Sequence, residues 1–184
     1  MSLKHGILGL LSYGSMTGYD VMKLFNESLN FFWNTQTSQI YRELDTLEKK
    51  EWVTSEYVVQ KDKPNKKIFT LSDDGKRELI SWLDEHSVKN AMKIRDEMTM
   101  RVFFGSNGDK DILKKELIEY RKINEEFSRR LKQAEGELDY REQLTGKKGE
   151  KMYWLMAIKR GHFTAESNIQ WVDDCMELLE AEEG

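Results

Sequence analysis

The chain has one cysteine, one proline and three histidines, and each scarcity removes a class of protein. Cys175 alone cannot close an internal disulfide and has no metal-ligand spacing around it, which suits a reducing compartment. His5, His86 and His162 are scattered, and no glycine-rich loop is spaced to cradle a phosphate. No apolar run approaches the roughly 18 to 20 residues that span a bilayer. The opening stretch, MSLKHGILGLLSYG, is too short in its apolar part and offers no cleavage site for a signal peptide. A cytoplasmic, soluble protein that is not an enzyme and carries no cofactor or metal is expected. Carboxylates abound, but with 34% charged residues they are accounted for as solvated helix faces.

A basic excess is missing as well. The formal net charge is −4, with 11 basic against 13 acidic residues through His86 and 18 against 20 beyond it. Any contact with nucleic acid must therefore come from a focused patch.

What the chain does have is helical periodicity. With a single proline and 39% hydrophobic residues, the fold class is mostly α. Residues 3–12 read as a short apolar helix ending at Tyr13-Gly14-Ser15. Thr17 can cap a second helix, along which Val21, Met22, Phe25 and Leu29 recur at helical spacing. After an aromatic turn, Thr35 or Thr37 opens a third helix whose inward face is Ile40, Leu44 and Leu47. Gln36, Ser38, Gln39, Arg42 and Glu43 are left largely on its other side.

From Trp52 the period changes. Residues 52–59 and 67–71 are β-branched and aromatic, and between them Lys61-Asp62-Lys63-Pro64-Asn65-Lys66 makes a turn, so a hairpin with a basic tip is predicted. Ser72 heads a fourth helix that starts on Asp73 and Asp74. Three helices followed by a hairpin is the order of a winged helix-turn-helix with a two-stranded wing, placed at residues 1–86. Residues 87–108 read as a connecting segment: a short, partly buried helix and a break.

Beyond Asp109 a heptad emerges in Leu113, Leu117, Tyr120, Asn124, Phe127, Leu131, Ala134 and Leu138. After Thr145-Gly146-Lys147-Lys148-Gly149, a second seam follows in Leu155, Ile158, His162, Ala165, Ile169, Val172, Met176 and Leu179. Two such long helices cannot bury both faces alone, so residues 109–184 are predicted to be a long-helix hairpin that dimerises with a second copy. Leu113, Leu117, Phe127, Leu131, Leu155, Ile158, Ile169, Trp171, Val172 and Met176 are its candidate dimerisation residues. Asn124 and His162 interrupt the seams. Counted from a turn near Lys147, they cannot face each other within one hairpin.

The third helix is the candidate for reading base edges, because a recognition helix enters the major groove by its N-terminal end. Gln39 could address adenine, and Arg42 guanine or a phosphate, with Thr37 and Ser38 assisting. The alternative is a merely solvated face. At the hairpin tip Lys61, Lys63, Lys66 and Lys67 stand against one acid, Asp62, and could lie along phosphates. A lysine-rich loop kept for solubility is the alternative there. Phe31-Phe32-Trp33 and Tyr153, Trp154 and Phe163 could wall an effector site, but aromatic clusters at helical junctions are expected to be core.

The ordered set Ile7-Leu8-Gly9-Leu10-Leu11, Thr17-Gly18-Tyr19-Asp20, Ser38-Gln39-Ile40-Tyr41-Arg42-Glu43-Leu44, Asp62-Lys63-Pro64 and Lys67-Ile68-Phe69-Thr70-Leu71-Ser72-Asp73-Asp74-Gly75 resembles the PadR family of bacterial transcriptional regulators. Arg160-Gly161 and Trp171 extend the resemblance into the longer-tailed branch, whose C-terminal helices dimerise. The resemblance implies a homodimer on double-stranded DNA at a pseudo-palindromic operator, commonly a repressor released by a small-molecule effector. It puts Tyr41 at the DNA backbone, Gln39 and Arg42 on the reading helix, and the wing lysines near phosphate. An activator of the same fold, or an adaptor whose winged helix contacts protein, are the alternatives. Glu51 departs from the family pattern, which has glycine there to supply a left-handed helix stop, so a differently built helix end is expected.

Overall fold

The computed structural model describes residues 3–30, 32–59, 65–84 and 96–181. The chain divides into two compact units, Met1–Met92 and Lys93–Gly184.

In the first unit, α1 (Leu3–Leu11), α2 (Gly18–Ser28) and α3 (Thr37–Lys49) converge on one core, which β2 (Val53–Val58) and β3 (Lys66–Leu71) close and α4 (Asp73–Asp84) follows. Ile7, Leu8, Val21, Phe25, Ile40, Leu44, Leu47 and Val53 are essentially sealed from solvent. Their helical spacings are those read from the sequence, because one apolar stripe per helix is what a three-helix core can cover. A third strand, β1 (Met16–Thr17), pairs antiparallel with β3, Met16 opposite Phe69 and Thr17 opposite Ile68, so the sheet order is β1-β3-β2. The expected two-stranded wing is thus part of a three-stranded sheet. Two residues carry no periodicity, and their pairing is purely tertiary.

Local chemistry sets the boundaries. Thr17 caps α2 as read, its side chain accepting from the Asp20 N–H while the Asp20 carboxylate accepts from the Thr17 N–H. At the end of α3 the Trp52 N–H donates to the Leu47 carbonyl (3.0 Å) and the Glu51 N–H to that of Glu48 (2.9 Å). This is the Schellman arrangement, and it needs a left-handed residue. Glu51 takes that conformation itself, with φ +58°. The expected different construction is therefore not found: a glutamate supplies the ordinary stop, against the steric cost that glycine avoids.

His5 joins α1 to α4. It is 6% exposed, stacks on Trp82 with ring centroids 4.4 Å apart, and has Nε2 3.1 Å from a Glu78 oxygen that also accepts from Lys4 at 2.7 Å. Burial is the largest influence and pushes the His5 pKa below its ordinary 6.5, although Glu78 pulls the other way. Below pH 6.5 the unfolded chain then binds a proton that the folded chain resists. The first unit is expected to lose stability as pH falls from 6.5 through the lowered His5 pKa, and His5→Gln to lack that loss. Urea midpoints at pH 7.5 and 5.5 test this; equal pH dependence in both proteins would refute it.

The second unit contains α5 (Glu97–Phe103), a 3-10 turn at Gly105–Asn107, α6 (Lys110–Gly136), α7 (Leu138–Thr145) and α8 (Glu150–Ala181). The seam expected to run unbroken to Leu138 is interrupted at Glu137, where a new short helix begins. Gly146 ends α7 in the left-handed conformation, φ 65°, so that the chain can turn back. Arg121 meets Asp173 at 2.9 Å and His162 lies 3.7 Å from Glu135, so α6 and α8 run antiparallel.

Between them only every seventh residue is fully covered: Leu117, Asn124 and Leu131 on α6, and Ile158, Ala165 and Val172 on α8. Leu117, Leu131, Ile158 and Val172, read as dimerisation residues, are therefore spent inside one chain and have no surface left for a partner. Leu113, Phe127, Leu155, Ile169, Trp171 and Met176 are half-buried along the same hairpin. Asn124 finds its partners here too, its amide donating to the Tyr120 carbonyl at 2.8 Å and accepting from Asn168 at 2.9 Å. A large apolar surface stays open elsewhere. On α8, Met152, Met156 and Phe163 are exposed. At 3.6 residues per turn they share a stripe nearly opposite Ile158, Ala165 and Val172.

Within the described part of the connecting segment, α5 is the short, partly buried helix expected, with Met98 and Val102 half-buried and none of its residues sealed, and Phe103 and Phe104 stand exposed. Among the described residues no helix is long and apolar enough to cross a membrane.

Candidate nucleic-acid interface

The outer face of α3 is assembled by what its inner face must bury. With Ile40, Leu44 and Leu47 sealed in the core, Thr37, Ser38, Gln39, Tyr41 and Arg42 all stand exposed. Arg42 is partly ordered by its own helix, its Nε donating to the Ser38 carbonyl at 3.2 Å. Five donors in a rigid fork make that side chain suited to a phosphate or a guanine edge.

Tyr41 lies over the first residue of α2. A Cβ on Gly18 would meet the Tyr41 ring at 2.7 Å, so glycine is what lets the ring settle there. The ring remains 41% exposed.

Gln39 is used within the protein. Its side-chain oxygen accepts from the Gln36 N–H at 3.1 Å and from the Thr35 hydroxyl at 2.7 Å. α3 is thus opened by Gln36 as its capping residue rather than by Thr35 or Thr37, with the acceptor reaching back from the first turn. The sequence reading missed Thr35 as a functional partner of Gln39. The signal was their four-residue spacing, which is visible only once the helix start is known.

On the hairpin, Lys66 is exposed at the start of β3, opposite Val58. Lys67 is engaged: its ammonium lies 2.7 Å from a Glu48 oxygen and over the Phe69 ring at 4.9 Å. Ser55 donates to the other Glu48 oxygen. These hydrogen bonds, Lys67 first and Ser55 second, hold the Glu48 carboxyl below the usual carboxylate range, and Glu48 in turn pushes the Lys67 pKa up. The last turns of α3 are thereby tied to both strands, so helix and wing present one surface. Lys63 and Lys61 lie outside the described residues. Tyr57 and Val59, 72% and 79% exposed, are apolar side chains on the same hairpin that a search for basic residues passes over.

The aromatic clusters expected to be core are largely not. Phe32, Tyr153 and Phe163 are more than half exposed, Trp33 is 37% exposed, and Phe31 lies outside the described residues. Among the described residues no group of histidine, cysteine or carboxylate side chains is arranged to hold a metal.

Residues 7–81 match the model of the transcriptional regulator PadR-like family, and residues 94–180 match that of the virulence activator alpha C-terminal region. A negative transcriptional regulator, PadR of Bacillus subtilis strain 168, is 40% identical over 102 residues, which are 55% of this chain and 56% of that protein. The chain spans about half the length of the curated relatives it matches. Among solved structures, smu.1604c of Streptococcus mutans UA159 is 28% identical with a TM-score of 0.78, covering 95% of this chain and 98% of that one. Bacillus subtilis PadR in complex with operator DNA is 26% identical with a TM-score of 0.77, covering 97% of this chain and 99% of that one.

Proposed function

We propose that this chain, which belongs to the PadR-like family of transcriptional regulators, binds double-stranded DNA as a homodimer at a pseudo-palindromic operator and represses transcription until a small molecule releases it. The observation that carries this reading is the exposed first turn of α3, with Thr37, Ser38, Gln39 and Arg42 beside the wing. It stands on a fold shared with a relative solved on its operator. In this reading α3 enters the major groove, Arg42 addresses a guanine edge or a phosphate, and Tyr41 and Lys66 position the protein on the backbone. Residues 1–86 would carry DNA binding, 87–108 would connect, and 109–184 would dimerise. Such a regulator works in the cytoplasm, where bacterial DNA is. Repression is favoured by the B. subtilis relative described as a negative regulator. Activation is the second reading, favoured by the match of residues 94–180 to a virulence-activator region.

The test is a gel shift of the full chain with the DNA flanking its own gene over a range of salt concentrations. Affinity should fall linearly on logarithmic axes, by a slope of about 0.9 per phosphate neutralised. Binding without salt dependence, or to a protein alone, would overturn the proposal in favour of an adaptor.

The two wing lysines should behave differently in that assay. Lys66→Ala is expected to lower the slope by about one for each phosphate contact removed, with base preference kept. Lys67→Ala releases Glu48 from its ion pair and should lower thermal stability while changing the slope less. An unchanged slope for Lys66→Ala would show that this lysine faces solvent in the complex.

A further inference from the structure

The side chain best placed to touch a base from α3 has already committed one of its two polar atoms. Gln39 Oε1 accepts from the backbone N–H of Gln36 and from the Thr35 hydroxyl, at 3.1 and 2.7 Å. Because the backbone group can only donate, the amide cannot be turned the other way round without losing that bond. What Gln39 leaves uncommitted at this exposed helix start is its Nε2 amino group, a donor alone.

A free glutamine pairs with adenine in the major groove by using both atoms, donating to N7 and accepting from N6. To do so here Gln39 must release two hydrogen bonds, together about five- to 150-fold in an equilibrium constant. That is about what the two-point adenine contact returns, at about 1.4 kcal/mol per tenfold. A donor-only contact keeps the cap and adds a bond. Any base with a major-groove acceptor, O4 of thymine, O6 and N7 of guanine or N7 of adenine, takes it without cost, and cytosine, which offers only its N4 amino group, does not.

We infer that Gln39, locked by Thr35 and the Gln36 N–H, reads as a hydrogen-bond donor, so that its base position in each half-site excludes cytosine without singling out adenine. Thr35 is then a positioning residue that sets specificity without touching DNA. The inference rests on the proposed role of α3 and refines it.

The experiment is selection of binding sites from a randomised DNA duplex library, with the full chain as wild type, Gln39→Ala, Gln39→Glu and Thr35→Val. Circular dichroism confirms that each is folded. Gln39→Ala should erase the preference at one position per half-site, and in the wild type that position should disfavour cytosine by about three- to tenfold, the worth of one hydrogen bond, with no excess of adenine over thymine and guanine. Gln39→Glu keeps the capping acceptor and removes the donor, so the discrimination against cytosine should disappear with the fold and the other positions unchanged. Thr35→Val removes one of the two bonds holding the amide, and the same position should move toward adenine. A loss of affinity spread evenly over the site is what a merely structural Thr35 would give, and it would overturn the positioning role. A preference for adenine over thymine and guanine at the Gln39-dependent position in the wild type would overturn the locked-donor inference while leaving α3 as the reader. If Gln39→Ala alters no position, Gln39 reads no base, and its part in the proposed function falls with it.

Discussion

Changing Met156 and Phe163 together to glutamate is expected to give a folded chain that sediments as a monomer and binds operator about 10²- to 10⁴-fold more weakly. Both side chains are more than 60% exposed on α8 and lie one heptad apart, on the face turned away from the Ile158–Ala165–Val172 seam. Replacing them removes no packing inside the chain, so stability should change by no more than about 0.5 kcal/mol per site. In a dimer that covers this stripe, four carboxylates would instead be desolvated without partners. Two half-sites held by one body benefit from an effective concentration in the millimolar range, and a monomer forfeits it. Sedimentation and a gel shift on the same preparations read the two consequences. A double variant that stays dimeric with parental affinity would exclude this stripe from the interface, and a monomer that binds as tightly as the parent would exclude dimerisation as the source of affinity.

Gly75→Ala should unfold the first unit at a much lower temperature. The first turn of α4 passes so close to the start of the wing that a Cβ at this position would sit 2.0 Å from the Trp52 carbonyl oxygen and 2.9 Å from Leu71 Cδ1. The carbonyl cannot yield cheaply, because it accepts the Ser72 N–H at 3.1 Å. Ser72 in turn donates its hydroxyl to the Glu51 carbonyl at 2.7 Å and caps the Gly75 N–H at 3.1 Å. Moving α4 outward would break this chain of bonds. A cost of about 2 to 4 kcal/mol follows from overpacking and a lost cap, and for a unit of this size that is a fall of roughly 10 to 25 °C. Gly9→Ala is the control. A Cβ there meets nothing within 4 Å, and in the middle of α1 the substitution should be neutral or stabilise by up to about 1 kcal/mol. Equal melting temperatures for Gly75→Ala and the parent would show that the close approach is not maintained in solution.

The parts of this protein that were legible in its sequence share a property: their causes lie within a few residues. Thr17 with Asp20, and Ser72 ahead of Asp73 and Asp74, announce helix starts because a cap acts three residues away. The stripes of α1 to α3 announce a core because each helix has one apolar face. The hairpin is announced by β-branched residues on both sides of a turn-forming stretch, and the two strands pair antiparallel.

Other features needed the tertiary structure. Periodicity says that a face is apolar and nothing about what covers it, so the seams of α6 and α8 could be assigned to a partner when Leu117, Leu131, Ile158 and Val172 are closed within the chain. The exposed stripe of Met152, Met156 and Phe163 became visible only after the inner one was filled. Met16 and Thr17 form a strand because β3 is there to pair with. Lys67 reads as one of four equivalent lysines until folding brings Glu48, 19 residues away, against it. Gln39 reads as a two-handed base reader until the start of α3 is fixed and the Gln36 N–H takes its carbonyl oxygen. Sequence by itself determined the order of elements and the face of α3 that meets solvent, since these follow from local hydrogen bonding and the burial of single stripes, and its ordered motifs carried the resemblance to the PadR family. Tertiary structure decided which of those exposed or apolar groups were still available to a second molecule, because a polar atom or a nonpolar face already satisfied inside the chain has no further free energy to gain from outside it.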